Sequence, residues 1–407
     1  MKYRILASSI KKALKTFPAA VITGPRQSGK TTLLMELLGK THKYFNLEDP
    51  DLRMRIKDDP RTFLAQCGRR VILDEIQYVS ELLPYIKSEI DKNRCAGRWV
   101  LTGSQNFVLM KQISESLAGR AAVLSLLPFS LAERQNQGKL SVSYEKLLRK
   151  NFSVKKKTEV ANLEEILLRG AYPEIASKKA VDKNLWCGSY IATYLERDIR
   201  NLSQVGDLGQ FERFLRLCAV RTGQILNTSS LAREIGISVP TIKRWLTFLE
   251  TGYQIFLLYP YYRNIGKRLV KSPKVYFNDT ALICYLMGIN NRETLIGSPY
   301  FPHIFETFIV TDFWKRFHHF GQLPSMYYLR TRDGLEVDIV LELKQKLHLF
   351  EIKSSSTITP HHADSLVRAT RDFGSLAQSA GIISRAPGHF AVRKDIYNFF
   401  WRDILLR

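Results

Sequence analysis

Acidic side chains are scarce in this chain: 38 Asp and Glu stand against 61 Lys and Arg in 407 residues, a net charge of +23. Long apolar runs are missing too. No stretch of about 18 consecutive apolar residues exists, so no transmembrane helix is expected. The start Met1–Phe17 (MKYRILASSIKKALKTF) lacks the apolar run of a secretory signal. The five cysteines, Cys67, Cys95, Cys187, Cys218 and Cys284, include no CxxC pair. That spacing supports neither a zinc site nor a disulfide framework. They read as buried thiols in a reducing cytoplasm. Internal repeats and low-complexity tracts are absent, which excludes a solenoid.

Hydrophobic residues at 45% and charged residues at 24% are ordinary globular values and exclude a disordered, collagen-like or coiled-coil chain. The length predicts roughly three domains. Folding does not require so large a basic excess; it bears on partners. A polyanion fits best, either nucleic acid or an anionic membrane surface, with a merely basic surface as the plain alternative. The surplus is uneven. Residues 1–150 carry 26 basic and 14 acidic side chains, residues 151–290 carry 20 and 12, and residues 291–407 carry 15 and 12.

Apolar segments alternate with helical patterns over the first 130 residues. Strands are expected at Ala19–Thr23, Lys43–Asn46, Arg70–Asp74, Trp99–Thr102 and Val123–Leu127, with a helix at Lys30–Leu38. This alternation means βαβ units and a parallel sheet. Residues 136–161 are polar and Lys-rich, as in a linker or surface insertion. Helical patterns fill 162 to about 251, and strands return at YQIFLLYPY and KVYF. A new α/β block follows, with a helix at Phe305–Phe317 and strands at Met326–Arg330, Glu336–Leu341 and His348–Lys353. The expected domains are therefore 1–135, 162–290 and 291–407, joined by the 136–161 segment.

Residues 24–32 read Gly24-Pro25-Arg26-Gln27-Ser28-Gly29-Lys30-Thr31-Thr32 and fit G-x-x-x-x-G-K-[ST] between an apolar strand and a helix. Glycines let backbone N–H groups wrap phosphates, and the helix N-terminus adds a favourable dipole. Lys30 is expected on the β- and γ-phosphates of ATP and the Thr31 hydroxyl on Mg²⁺. Val71-Ile-Leu-Asp74-Glu75 is the expected companion: a buried strand delivering two acids at its carboxyl end. Asp74 is expected on the metal, directly or through water, and Glu75 on the attacking water. Leu101-Thr-Gly-Ser104-Gln105-Asn106 ends the next strand. There Ser104, with Gln105 and Asn106 close behind, is a γ-phosphate sensor or simply a polar turn. Leu117-Ala-Gly-Arg120 offers a cation for transition-state charge. Arg120 is suited to a neighbouring subunit's site or to a local salt bridge.

The set GPRQSGKTT, VILDEIQ, LTGSQN and LAGR, followed by LLPFSLAE, resembles the AAA-type ATPases of bacteria and archaea that carry a C-terminal domain of unknown function. Gly170-Ala-Tyr-Pro, YLERDI at 194–199, FNDTAL at 277–282, EVDIV and FEIKSS fit the same family, so the resemblance covers nearly the whole chain. It implies an α/β fold with a P-loop AAA+-like parallel-sheet core, a helical middle with a winged helix-turn-helix, and a C-terminal restriction-endonuclease-like α/β domain. Within YLERDI, Arg197 belongs to an ion-pair network or contacts nucleotide or a neighbouring subunit.

Residues 230–249 have helix-turn-helix grammar. Leu231, Ala232 and Ile235 face inward, Gly236 makes the turn, and Ser238 caps a second helix with Pro240 in its first turn. That helix buries Ile242, Trp245, Leu246 and Leu249 at helical spacing. It leaves Thr241, Lys243, Arg244 and Thr247 toward solvent as DNA contacts, unless the module only packs against protein. Strands after Gly252 form a wing with Arg263, Lys267, Arg268 and Lys271 at its basic tip. These cations suit phosphates and do not read bases.

In the last block, alternation puts Glu336 and Asp338 on one strand face and Glu351 and Lys353 on one face of the next. Should the faces align, Asp338 and Glu351 converge on a divalent ion beside Lys353, with Glu306 from the preceding helix completing the acids. This resembles the D…E-x-K motif of restriction-endonuclease-like domains. Such a domain cleaves, binds DNA without cleaving, or serves as scaffold.

The expected activity is an ATPase whose turnover is coupled to binding or remodelling of DNA. The expected cofactors are ATP and Mg²⁺, and a homo-oligomer is the expected state. The alternatives are a nucleotide-gated switch or scaffold for a protein partner, and an ATP-regulated, metal-dependent DNA nuclease.

Overall fold

The computed structural model describes residues 2–103, 113, 115–136, 162–199, 207–263 and 272–406; of residues 196–198 it describes the backbone alone. The chain divides into two compact units. One comprises Met1–Phe129, Thr251–Gln254 and Lys315–Gln322; the other comprises Ser130–Glu250, Ile255–Trp314 and Leu323–Arg407.

The first unit is built on a parallel sheet of β1 (Ala19–Thr23), β2 (Lys43–Asn46), β3 (Val71–Asp74), β4 (Trp99–Thr102) and β5 (Ala121–Ser125), in the order β2-β3-β4-β1-β5. Successive side chains of a strand point to opposite faces, so a strand covered on both sides must be apolar throughout. The three central strands obey this. Val21, Leu73 and Leu101 pack on one face with Phe63, Ile86 and Ile90. Ile22, Ile72 and Val100 pack on the other with Leu6, Ile10, Leu33 and Leu34. All pairings are parallel, so every strand ends toward the same edge, where the segments after β1 and β3 begin.

β5 begins two residues before the expected Val123. Ala19 pairs with Ala121, and the ladder runs to Thr23 against Ser125. The small Ala121 and Ala122 carry no strand signature of their own; the paired strand β1 imposes the conformation.

The second unit begins with helices, among them Leu163–Arg169, Lys183–Thr193 and Leu208–Val220, and a π-helical turn at Tyr194–Ile199. Thr228–Ile235 and Val239–Thr251 follow, accompanied by a small sheet of β6 (Gln224–Ile225), β7 (Ile255–Leu258) and β8 (Lys274–Phe277) in the order β6-β8-β7. The long helix Phe301–His319 leads into a six-stranded mixed sheet of β9 (Met326–Arg330), β10 (Glu336–Leu343), β11 (Lys346–Lys353), β12 (Ala377–Ser384), β13 (Phe390–Arg393) and β14 (Ile396–Phe400). Its order is β13-β14-β12-β11-β10-β9, with β11, β12 and β14 parallel. Val337, Val340, Leu349 and Ile382 bury one face under Leu366 and Ala369 of the helix Asp364–Phe373. The fold class is thus α/β: an N-terminal parallel five-stranded core, helices in the middle and a C-terminal mixed sheet. Among the described residues no helix is long and apolar enough to cross a membrane.

Candidate functional site

The segment Gly24–Thr32 joins β1 to the helix Lys30–Leu38, at the carboxyl edge of the sheet. Two backbone positions explain its sequence. Gly24 has φ +142°, and a methyl group there would overlap the carbonyl of Leu126. Gly29 has φ 92° immediately before the helix, a left-handed conformation that glycine adopts without strain. Gln27 also lies at positive φ, 58°, without being glycine. Lys30 is buried and its ammonium donates to the carbonyls of Gly24 at 3.1 Å and Pro25 at 3.0 Å. The loop thus curls around its own lysine. Ser28 Oγ is buried with no hydrogen-bond partner. A buried hydroxyl left unsatisfied at this turn is compatible with a loop that receives an anion.

Behind the loop, Asp74 gathers three hydroxyls. Thr31 Oγ1 donates to Asp74 Oδ2 at 2.7 Å and Tyr44 to the same oxygen at 2.8 Å. Thr102 donates to Asp74 Oδ1. Burial, then the bond to Asp74, pushes the Tyr44 phenol well above its ordinary range, so it acts as a fixed donor. Glu75 sits at φ 59° between β3 and the following 3₁₀ turn, its N–H donating to Thr102 Oγ1 at 3.1 Å. Its carboxylate accepts from Gln77. A non-glycine residue held in the left-handed region beside Gly24–Thr32 is the kind of strain that functional sites retain.

The expected sensors Ser104, Gln105 and Asn106 lie outside the described residues. Arg120 precedes β5 at the amino edge of the sheet, the edge opposite the phosphate loop, where its carbonyl accepts from Ala19 N–H. Its guanidinium grips Asp91 with two bonds, Nε–Oδ1 at 2.6 Å and Nη2–Oδ2 at 3.0 Å. This raises the guanidinium pKa and lowers that of the carboxyl.

In the second unit, Gly236 at φ 79° separates the helices Thr228–Ile235 and Val239–Thr251. Ser238 Oγ accepts from Thr241 N–H at 3.3 Å, which caps the second helix. Ile242, Trp245, Leu246 and Leu249 are buried, while Lys243, Arg244 and Thr247 are exposed and Thr241 half-buried. Trp245 packs against Phe211 at 5.1 Å and Phe214 at 5.5 Å between ring centroids. Lys267, Arg268 and Lys271 lie outside the described residues. Arg263, just before them, lines an open groove of about 850 Å³ with Tyr262, Arg330 and Arg332.

The strands β10 and β11 are antiparallel, with Ile339 opposite Phe350, so Asp338 and Glu351 face each other one step along. Ile352 N–H donates to Asp338 Oδ2 at 2.8 Å, and Lys353 Nζ lies 2.6 Å from Glu351 Oε1. Glu306, on Phe301–His319, is brought to the same place. The expected acids therefore do meet. They meet around Lys274 of β8, whose Nζ lies 2.8 Å from Glu336, 3.4 Å from Glu306 and 3.5 Å from Asp338. Among the described residues no group of three or more His, Cys, Asp or Glu side chains is arranged to hold a metal ion.

Comparison with known proteins bears on the first unit. Residues 16–135 match the AAA domain family. That span holds the Gly24–Thr32 segment, the Asp74 cluster and Arg120. Residues 160–293 and 301–398 match two domains of unknown function, DUF8612 and DUF4143. The chain is similar to the uncharacterized protein Rv2008c of Mycobacterium tuberculosis, 29% identical over 358 residues, covering 87% of this chain and 74% of the relative. It is also similar to the uncharacterized protein MJ1544 of Methanocaldococcus jannaschii, 27% identical, covering 84% and 76%. Among solved structures, the Walker-type ATPase PABY2304 of Pyrococcus abyssi is 16% identical with TM-score 0.43, covering 69% of this chain and 94% of that one. AMPPCP-bound DnaA of Aquifex aeolicus is 13% identical with TM-score 0.28, covering 60% and 86%.

Several site residues were not expected from the sequence. The sequence marks Thr102 only as the end of an apolar strand. Arg4 donates to the Ser28 carbonyl at 3.0 Å and the Leu127 carbonyl at 2.5 Å, tying the Gly24–Thr32 segment to the residues after β5. Lys274 carried a signal that could have found it: in KVYF the alternation places Lys274 and Tyr276 on one face of a buried strand. The cysteines need one correction. Four are buried, but Cys95 is exposed, because it falls in the turn between the helix Leu83–Lys92 and β4.

Proposed function

We propose that the chain is an AAA-type ATPase that binds DNA and couples its turnover to that binding. The observation that carries this reading is the cluster at the carboxyl edge of the first sheet, where Thr31, Asp74 and Thr102 meet behind the loop around Lys30. The residues fit a nucleoside triphosphate with its magnesium ion. Gly24, Pro25, Arg26, Gln27, Ser28, Gly29 and Thr32 supply the loop's backbone amides (all but Pro25), and Lys30 turns from the loop carbonyls to the β- and γ-phosphates. Thr31 and Asp74 hold the metal, which when bound neutralises charge on the phosphates. Glu75, fixed at its backbone by Thr102, orients and polarises the attacking water. Ser104 senses the γ-phosphate. Arg120 sits too far along the sheet to serve its own loop: five strand residues at about 3.3 Å each separate the two edges. It therefore acts on a neighbour's site in a homo-oligomer.

The DNA surface is the exposed side of Val239–Thr251, in a winged helix-turn-helix, with Thr241, Lys243 and Arg244 and with Lys267 and Arg268, which lie outside the described residues. Support comes from the basic surplus of the first 290 residues and from Arg263, Arg330 and Arg332 along one groove. Phosphate contacts of this kind give affinity that falls steeply with salt.

The test is steady-state ATP hydrolysis with and without single-stranded, duplex and branched DNA. DNA is expected to raise turnover, and Glu75→Gln is expected to bind ATP and hold it unhydrolysed. Unchanged hydrolysis in that variant overturns the catalytic assignment. Hydrolysis indifferent to every DNA form overturns the coupling.

A further inference from the structure

The acids of the C-terminal sheet present the residues of a metal-dependent nuclease, and a divalent cation is the ligand that such a set implies. The structure disagrees with that reading in one specific way. Lys274 is buried, with 4% of its side chain exposed, and its ammonium has carboxylates on three sides. Glu336 lies at 2.8 Å, Glu306 at 3.4 Å and Asp338 at 3.5 Å. An ammonium has three N–H donors and no acceptor, so three carboxylates are its natural complement.

Most of the rest of the cluster is committed as well, although Glu351 Oε2 is buried with no hydrogen-bond partner. Tyr276, two residues along β8 and on the same face, donates its hydroxyl to Glu306 at 2.6 Å. One oxygen of Asp338 accepts the Ile352 amide, and one oxygen of Glu351 is taken by Lys353. The ring of Tyr328 lies 5.6 Å from Lys274 Nζ and adds a π face to the cation's surroundings. A divalent ion needs several of these oxygens at about 2.0–2.6 Å. To reach Glu306 and Asp338 together it would have to enter the space where the ammonium already sits. Repulsion between the two cations is strong in so buried a place.

We propose that Lys274 is the resident cation of this carboxylate cluster, standing where a catalytic metal would stand, and that the C-terminal domain neither binds a divalent ion there nor cleaves DNA. The cluster is instead an ion-paired seam joining β8 to β10 and to the helix Phe301–His319 within the second unit. This goes beyond the ATPase reading and is independent of it.

The experiment is a Mn²⁺ titration of the full chain, freed of metal and nucleotide, followed by calorimetry and by the electron paramagnetic resonance signal of free Mn²⁺. Wild type is expected to show no Mn²⁺ site that depends on Asp338. Lys274→Met is expected to gain one, at least ten-fold tighter than any wild-type binding, and Lys274→Met/Asp338→Asn to lose it again. A wild-type site abolished by Asp338→Asn overturns the proposal, and so does a folded Lys274→Met that binds no Mn²⁺. If Lys274→Met does not fold, the wild-type titration decides together with amine acetylation of the native chain. Lys274 is expected to stay unmodified while exposed lysines such as Lys92 react; rapid acetylation of Lys274 overturns the proposal.

Discussion

Thr102 donates its hydroxyl to Asp74 Oδ1 and accepts the N–H of Glu75, so one side chain on β4 holds the carboxylate that ends β3 and the backbone of the acid that follows it. The geometry makes a specific prediction. In Thr102→Val the shape is kept and both bonds are lost. Nucleotide affinity is expected to change little, because the loop around Lys30 is untouched, while kcat falls about 10- to 100-fold, the usual cost of losing a partner that orients a metal or water ligand. Steady-state hydrolysis alongside binding of a fluorescent ATP analogue separates the two. A KM-only effect would contradict the role assigned to Thr102.

A second prediction concerns the loop's first glycine. Gly24→Ala places a methyl against the Leu126 carbonyl at a φ of +142° that alanine avoids. Either the loop or β5 must shift. The variant is expected to lose stability by about 1–3 kcal/mol and to show a smaller rise in melting temperature on adding ATP. Differential scanning calorimetry with and without nucleotide checks both.

The sequence made the first unit readable and the second less so, for physical reasons. β1, β3 and β4 are covered on both faces, so they appear as uninterrupted apolar runs, and the glycines of Gly24–Thr32 stand where the backbone needs φ +142° and 92°. The helix pair at 228–251 was legible because a positive-φ glycine and a capping serine leave a local trace. By contrast β12 (AQSAGIIS) and β13 (FAVR) lie in segments of mixed polarity whose conformation is set by pairing with β11 and β14. The acids of β10 and β11 were visible as a pattern, but their partner was not. Lys274 lies more than sixty residues before Asp338, and only the tertiary fold brings it between them.

Arg120 gives a third prediction. If Arg120 serves a neighbour's site from the sheet edge opposite Gly24–Thr32, a chain lacking it disables the site of the chain beside it and not its own. Arg120→Ala is expected to lower turnover about a thousand-fold or more, the scale of a transition-state arginine. Mixing Arg120→Ala with Lys30→Ala chains is expected to restore part of it, since each can supply what the other lacks. Asp91→Ala, which frees the arginine, should retain hydrolysis. No recovery on mixing, with assembly verified by light scattering, would return Arg120 to the local pair with Asp91.

The carboxylate cluster predicts a pH dependence of stability. Burial, only partly offset by Lys274, pushes Glu306 up to about 7. Burial and the neighbouring Asp338 push Glu351 up to about 8, against the pull of Lys353. Both values lie above the ordinary carboxyl value of 4.5. Between that value and the raised ones, the folded chain holds protons that the unfolded chain has released. Stability therefore falls as pH rises through this window and levels off above it. The melting temperature is expected to be lower at pH 9 than at pH 6, and Glu351→Gln, which cannot ionise, should flatten the slope. A melting temperature that rises over the same range would mean that these acids are ionised in the fold at neutral pH.

The exposed face of Val239–Thr251 makes the last prediction, and it separates phosphate contact from base reading. Lys243 and Arg244 stand in solvent on a helix whose opposite side is locked by Ile242, Trp245 and Leu249, so truncating either leaves the fold intact. If they meet phosphates, Lys243→Ala weakens binding to all DNA sequences alike. The slope of log affinity against log salt then drops by about one. If Arg244 instead reads a guanine edge, Arg244→Ala costs about 1–3 kcal/mol on one sequence and little on others. Fluorescence anisotropy on duplexes of different sequence, repeated across salt, distinguishes the two. An unchanged salt slope in both variants would move the DNA surface away from this helix and toward the groove that Arg263, Arg330 and Arg332 line.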